Sequence, residues 1–228
     1  MTLDRRRLRA IVRRLEKRYG ALETPRSLDV LDELILTVLS QHTSDLNSER
    51  AFGLLRGAYP TWESIVAAPW KEVADVIRSG GLANTKARRI QAILREVRHR
   101  EGGYDLERLS AGGDPEAREY LGSLPGVGPK TVAVVMGFAL GRQTIPVDTH
   151  VHRVATRLGL VPKTSAERAQ RLLEEQVPDD LKTPLHVGLI RHGRETCKAP
   201  LPRCEGCVVF ELCPGGPGFL SARVSLPR

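Results

Sequence analysis

The stretch LPGVGPKTVAVV, residues 124–135, places two glycines, two prolines and a lysine within seven positions and then continues as an apolar helical pattern. Gly126 and Gly128 permit positive φ angles and close approach of the backbone, and Pro129 suits the first position of a helix, where its missing N–H costs little. The pattern predicts a helix, a tight hairpin and a second helix. Backbone amides in such a hairpin can bind one phosphate group, although a plain connection between helices would use the same residues.

Lys130 follows this hairpin, in the first turn of the second predicted helix. The positive end of the helix dipole disfavours an ammonium ion there, so the position is a poor one for a purely structural lysine. A neutral amine is a nucleophile that can form a Schiff base with a carbonyl-level carbon. The phosphate loop of nucleotide hydrolases does not fit, because Pro129 separates Gly128 from Lys130 and no strand precedes the loop.

A second candidate site lies in IPVDTHVHRVATRLGL, residues 145–160, where Asp148 precedes another predicted helix. An aspartate in this place is expected to cap the helix, which is worth about 1 kcal/mol. A functional hypothesis is compatible with the cap: the carboxylate would offset positive charge developing on a sugar, or would orient a lysine. His150 and His152 lie on different faces of the same helix, so they are not expected to share a metal ion.

Apolar spacing is helical almost throughout, as in Leu8, Ile11, Val12 and Leu15 and again in Leu31, Leu34, Ile35 and Val38. The chain is therefore predicted to be all-α, with nine or ten helices and no persistent strand pattern. Ser27 and Asp114 resemble helix starts; the predicted stops are Gly20, Gly80 with Gly81, Gly102 with Gly103, and Gly141. The Gly/Pro-rich residues 214–228 are predicted to form a loosely held tail.

Length and composition restrict the classes of protein to which this chain can belong. A chain of 228 residues suits one or two domains. Its net charge of +8 makes nucleic acid a plausible partner, although a solvated basic surface explains the charge about equally well. No apolar run is long enough to span a bilayer and the N-terminus has no apolar signal core, so an intracellular protein is expected.

All four cysteines fall within 17 residues, as C-x6-C-x2-C-x5-C at Cys197, Cys204, Cys207 and Cys213. The expected intracellular location disfavours disulfides. The four thiolates suit tetrahedral zinc, but structural zinc usually pairs two C-x2-C knuckles and only one is present. The spacing also departs from the bacterial ferredoxin run, so spacing alone leaves zinc and iron–sulfur open.

Together, LPGVGPKTVAVV, PVDTHVHRVATRLGLV and the cysteine pattern resemble the endonuclease III family of the helix-hairpin-helix DNA glycosylase superfamily, over residues 28 to 213. The resemblance implies an all-α, two-lobed fold. A six-helix barrel lobe would span 28–140, with the helix-hairpin-helix at about 121–140. An iron–sulfur lobe would combine 1–27 with 141–228 and hold the cluster in the loop 197–213, with DNA bound in the cleft between the lobes.

The resemblance further implies a base-excision repair enzyme that removes oxidised or saturated pyrimidines from damaged double-stranded DNA and cleaves the abasic site as a lyase. Lys130 would attack C1′ of a nucleotide flipped out of the stack, and Asp148 would stabilise the oxocarbenium-like transition state. All four cysteines would ligate a [4Fe-4S] cluster of structural role. The protein is expected to be a monomer in the cytoplasm, associated with the nucleoid in a bacterium, with no membrane contact.

Several further residues are assigned by motif. The family commonly has a Leu-Ser-x-Gln run where this chain has LSQHTSD, so either Gln41 or His42 could fill the space left by the flipped base, with His150 a further base-pocket candidate. SGGLANTKARRI resembles the family's Gly-Leu-x-Asn-x-Lys-Ala loop. It makes Leu82 a candidate wedge into the stack and Asn84 a backbone contact, although a tight turn would explain the same loop.

The remaining DNA contacts implied by the resemblance are made by the hairpin glycines, Gly126 and Gly128, and by Lys198 and Arg203 between the first two cysteines.

Two alternative functions share some of these motifs. An adenine-removing mismatch glycosylase generally lacks the hairpin lysine and carries a large C-terminal domain, whereas 15 residues follow Cys213 here. A non-catalytic DNA damage-binding protein would need neither Lys130 nor Asp148 for binding phosphate, and a lyase-only damage-binding protein is a further alternative.

Overall fold

The computed structural model describes residues 3–24 and 28–224, in which thirteen α-helices and two short 3-10 helices occur and no strand is present. The prediction of an all-α fold is confirmed. The helices are more numerous than the nine or ten expected, because three of them have only seven residues or fewer and leave little apolar periodicity: α4 (Trp62–Ala67), α5 (Trp70–Val76) and α7 (Arg108–Ala111). No helix in these two ranges is long and apolar enough to cross a membrane.

The described residues form two compact units, of which the first contains 28–142. Besides α4, α5 and α7, its helices are α2 (Val30–Ser40), α3 (Asp45–Ala58), α6 (Ala83–Glu101), α8 (Asp114–Gly122) and α9 (Pro129–Phe138). Their apolar faces meet in one core, in which Leu34, Ile35, Val38 and Leu39 of α2 are fully buried. This burial is the main stabilising contribution, about 1.5–3 kcal/mol for each large apolar side chain.

The second unit contains residues 3–24 and 143–224. Its helices are α1 (Arg5–Tyr19), α10 (Thr149–Arg157), α11 (Ala166–Gln176), α12 (Asp179–Glu195) and α13 (Gly216–Val224). The predicted apolar stripe of α1, formed by Leu8, Ile11, Val12 and Leu15, is buried in a separate core with α10 and α12. Each unit thus has its own hydrophobic core.

Most helix termini follow the predicted signals, whereas the predicted stop Gly141 lies three positions after Phe138, at which α9 ends. Gly20 and Gly102 cap α1 and α6 with positive φ, and Asp114 begins α8 with Pro115 in its first turn. Ser27 lies outside the described residues, and the side chain that caps α2 is Asp29, which accepts the amide of Asp32 at 2.8 Å. The prediction of a loose tail from residue 214 is wrong up to Val224, because α13 occupies Gly216–Val224.

Candidate active site and nucleic-acid interface

The predicted hairpin joins α8 to α9 at residues 123–128. Leu124 and Val127 are 2% and 7% exposed, and the Val127 amide donates to the Leu124 carbonyl at 3.1 Å. Burial of Val127 leaves Gly126 and Gly128 exposed on either side of it. The anchored valine therefore turns the two flanking backbone segments outward.

The two hairpin glycines differ in backbone conformation. Gly126 has φ +72°, a conformation that favours glycine, whereas Gly128 has φ −97° and caps α9. Of the two glycines that permit positive φ, only Gly126 adopts it. A Cβ added at Gly128 would meet nothing within 4 Å, so its surface is open to a ligand. Lys130 is the second residue of α9 and is half-buried.

Arg89 of α6 ties this hairpin to the loop that follows α2. Its guanidinium packs against Gly126, where a Cβ would overlap the Arg89 Nε. Arg89 Nη1 also donates to Gln41 Oε1 at 2.7 Å, and Gln41 Nε2 donates to Thr131 Oγ1 at 3.5 Å. Gln41 thus lies beside the residue that follows Lys130. Sequence reasoning missed Arg89, since nothing local distinguishes it from the other arginines of α6.

His42 and Leu82 form a pair of exposed residues on adjoining loops. They are the only non-glycine residues with positive φ in the described ranges, at 55° and 49°. A Cβ built on Gly81 would lie 4.0 Å from the His42 carbonyl oxygen, which shows that the two loops adjoin. Leu82 is 57% exposed and caps α6 without a side-chain hydrogen bond, and Asn84 is exposed in the first turn of that helix.

Asp148 caps α10 as predicted, since its Oδ1 accepts the Val151 amide at 2.7 Å. It lies in the second unit, whereas Lys130 lies in the first. The two histidines that follow it are held by local contacts. His150 Nδ1 lies 3.1 Å from Arg153 Nη2, and His152 Nε2 lies 2.9 Å from the Thr164 carbonyl oxygen. His150 is therefore half-buried next to the capping Asp148, and His152 is held by the backbone of Thr164.

None of the four cysteines forms a disulfide, and all four line one cavity of the second unit. Zinc would need sulfur atoms gathered about 2.3 Å from a single ion. In the part of the chain that the structure describes, no three or more His, Cys, Asp or Glu residues are grouped closely enough to hold a metal ion. Cysteine thiolates are ligands of both zinc and iron–sulfur clusters, so the four side chains themselves fit either group. Burial raises the pKa of the Cys207 thiol to about 11, so thiolate ligands in this cavity require strong positive charge nearby.

Two side chains contact the cysteine sulfurs. Burial, with a smaller effect of Arg18, lowers the pKa of His192 to about 4, so its ring is neutral at pH 7. Its Nε2 lies 3.5 Å from Cys207 Sγ and its Nδ1 lies 3.0 Å from the Tyr19 hydroxyl. Arg157 Nη1 donates to Cys197 Sγ at 3.4 Å. Sequence reasoning did not identify these contacts, which can tune the electronic properties of a bound cluster.

Lys198 and Arg203 are exposed, on the loop between the first two cysteines. Arg157 holds this loop through hydrogen bonds to two backbone carbonyls, 2.7 Å to Lys198 and 3.0 Å to Pro200. The loop therefore presents two cations from a backbone that is fixed to α10. Such an arrangement can bind phosphate groups.

Comparison with known proteins gives concordant results. The family model described as HhH-GPD superfamily base excision DNA repair protein matches residues 35–179. Endonuclease III of Thermotoga maritima is 34% identical over 205 residues, which cover 90% of this chain and 89% of the relative. A predicted DNA glycosylase of Arabidopsis thaliana is 40% identical over 172 residues, which cover 74% of this chain but only 59% of the plant protein.

Among solved structures, a trapped endonuclease III–DNA covalent intermediate matches with a TM-score of 0.82 and 30% identity, covering 96% of this chain and 100% of that one.

Proposed function

The chain belongs to the HhH-GPD superfamily of base excision DNA repair proteins, a membership that makes it a DNA glycosylase, and we propose that it removes oxidised or saturated pyrimidines and then cleaves the abasic site as a lyase. The observation that carries the proposal is the position of Lys130, second in α9 directly after a hairpin with an open glycine surface. The likeness to a trapped endonuclease III–DNA covalent intermediate supports the covalent step.

The lysine accounts for both reactions. Its neutral amine attacks C1′ of the damaged nucleotide, and the C1′–N bond breaks as the base leaves with the bonding electrons and a proton. The attached nitrogen then loses one proton, and its lone pair forms a C1′=N double bond as the C1′–O4′ bond breaks and O4′ takes up a proton, which gives a protonated Schiff base with the opened sugar. Loss of a C2′ proton then expels the 3′ phosphate and cuts the strand 3′ to the lesion. An adenine mismatch glycosylase that lacks this lysine would stop after base removal.

Asp148 is proposed to act through its charge. The carboxylate stabilises the positive charge that develops on the sugar while the glycosidic bond breaks. One oxygen already accepts the Val151 amide, so the α10 N-terminus fixes the carboxylate without protonating it. Gln41, His42 and His150 are proposed to line the base pocket, with Leu82 entering the stack.

The DNA backbone is proposed to bind along the exposed hairpin, through the surface at Gly128 and Gly126, with Asn84, Lys198 and Arg203 contacting further phosphates. Phosphate binding at a helix N-terminus follows from its exposed amides and dipole. Each phosphate neutralised by a basic residue adds about −0.9 to the slope of log K against log salt. The protein is proposed to bind duplex DNA as a monomer.

Alanine substitutions should distinguish the role of Gly128 from that of Gly126. Gly128→Ala is expected to lower the melting temperature only slightly, because φ is −97° and the space is open although alanine is a poorer N-cap than glycine, but to weaken DNA binding by placing a methyl group on the phosphate surface. Gly126→Ala should lower stability by about 1–2 kcal/mol, since L residues are strained at φ +72°. Both variants are compared with the wild type by thermal melting and by binding to an abasic-site duplex. Equal binding by Gly128→Ala and wild type would remove this surface from the interface.

The cavity of the four cysteines is proposed to hold a [4Fe-4S] cluster, with Cys197, Cys204, Cys207 and Cys213 as ligands. When bound, such a cluster would cross-link the loop 197–213 internally, since all four ligands lie within it. The glycosidic chemistry is assigned to Lys130 and Asp148 alone. The alternative is that the cavity holds zinc, and the metal content of the purified protein distinguishes the two.

Cys204→Ser is expected to lose iron and the visible absorbance of the cluster, and to lower the stability of the second unit, because Cys204 is 9% exposed within that unit's loop. Iron and zinc analysis of the purified protein, with optical spectra, measures this. Ser110→Ala, in the other unit, is the control. About one zinc and no iron in the wild type would overturn the cluster assignment.

The function is tested by borohydride trapping of the purified protein on three duplexes, containing one thymine glycol, one abasic site or no lesion. We expect covalent adducts on the first two. An adduct on the abasic duplex alone would indicate a lyase with another base specificity. No adduct on either would favour a non-catalytic DNA-binding protein.

A further inference from the structure

Lys86 is a buried cation in the first unit. The side chain is only 2% exposed, and its Nζ donates to two backbone carbonyls, 2.6 Å to Leu39 and 2.8 Å to Gly80. Burial, with a smaller effect of Arg89, lowers its pKa to about 8. A methionine or leucine would fill such a volume without the cost of removing an amine from water. The presence of a lysine here, and not of an apolar residue, is therefore best explained by the two carbonyls that it contacts.

The two carbonyls belong to the segments that lead into the paired loops. Leu39 lies in the last turn of α2, three positions before His42, and Gly80 lies two positions before Leu82. Carbonyls in the last turn of a helix lack intrahelical donors. Lys86 lies one turn into α6, and a helical side chain points back toward the helix N-terminus. One ammonium group thus joins the ends of two loops that are 40 residues apart in sequence.

Both loops carry conformations that need such support. His42 and Leu82 have φ +55° and +49°, in the left-handed region that is strained for a non-glycine residue. Strained residues persist only where the surrounding structure holds them. Their side chains are exposed, so neither is held by burial of its own apolar surface. The carbonyls that accept from Lys86 lie three positions before His42 and two positions before Leu82.

We infer that Lys86 is a positioning residue that holds the His42 and Leu82 loops together as one rigid two-residue probe, which enters the base stack as the damaged nucleotide is extruded. The inference rests on the proposed function. Extrusion costs a few kcal/mol of lost stacking and pairing, and a probe that is already ordered does not add the entropic cost of ordering two loops at that moment. Lys86 touches neither DNA nor the reacting atoms.

The test compares two substrates that differ in whether a stack must be opened. Lys86→Met keeps the volume and removes the donors. Single-turnover excision of thymine glycol from a duplex should fall by roughly 10-fold or more, which corresponds to about 1.4 kcal/mol. Strand cleavage at an abasic site in a single-stranded oligonucleotide should stay within roughly twofold of wild type. Lys163→Met, at an exposed lysine of the other unit, should change neither rate.

A double-mutant cycle distinguishes positioning from general stability. In a Leu82→Ala background the probe is already impaired, so Lys86→Met should cost much less on the duplex than it does in the wild type. Lys86→Gln, which keeps two N–H donors, should recover part of the duplex rate; it also serves as the variant should Lys86→Met fold poorly. Additive losses, or equal losses on both substrates, would overturn the inference. If the wild type itself removes no base from the duplex, the proposed function fails instead.

Discussion

Lys130→Gln is expected to abolish borohydride trapping on both the thymine glycol and the abasic duplexes, with strand cleavage reduced by at least about 10³-fold, since removing a covalent nucleophile costs a rate factor of this order or more. Glutamine has a similar reach but no nucleophilic amine. Lys130 is half-buried at the second position of α9 and takes part in none of the helix caps, so the fold should remain intact. Binding to the lesion duplex should therefore survive.

The control for this variant is Lys71→Gln, an exposed lysine of the same unit, which should trap as the wild type does. Melting temperature and visible absorbance should match among the three proteins. If Lys130→Gln still forms an adduct on the abasic duplex, another amine is the nucleophile. Mass analysis of the trapped peptide would then identify that amine.

Asp148→Asn is expected to slow base removal by about 10²–10³-fold, the usual cost of removing one electrostatic contact to a transition state. Asparagine caps helices about as well as aspartate, so α10 and the melting temperature should be unaffected. Cleavage of a pre-formed abasic site should be much less affected, because the glycosidic bond is already broken there. Single-turnover rates on the two duplexes measure this split.

Two further variants separate the charge of Asp148 from its cap. Asp148→Ala removes both and should also lower stability by about 1 kcal/mol. Asp4→Asn alters the corresponding cap of α1, where Asp4 Oδ1 accepts the Arg6 amide at 2.8 Å, and should leave both rates unchanged. Base removal by Asp148→Asn at the wild-type rate would leave Asp148 with a capping role alone.

Several features that depend on neighbours in sequence were predicted correctly. The helical class follows from apolar residues at a period of 3.6, as on α1 and α2. The cap at Asp148 and the start of α9 at Pro129 follow from residue types at single positions, because capping and φ restriction act within a few residues. Which of the two hairpin glycines adopts positive φ could not be predicted in this way, since glycine, without a Cβ, permits either sign of φ.

The surroundings of the candidate site depend on contacts between distant residues. Gln41 is held by Arg89, 48 positions away, and approaches Thr131, 90 positions away. No periodicity or capping rule links such positions, so sequence reasoning left Gln41 and His42 as equal candidates, whereas the structure holds Gln41 against the hairpin and leaves His42 exposed beside the Leu82 loop.

The sequence by itself determined the helical class, the hairpin with its lysine, the capping aspartate and the four cysteines, since each is encoded by local residue type and spacing. Only the tertiary structure decided that Lys86 is buried against Leu39 and Gly80 and that His192 lies against Cys207. A lysine in a helical pattern is expected at the surface. Its burial results from the packing of α6 against α2 and the 3-10 turn at Arg78–Gly80, which no segment specifies alone.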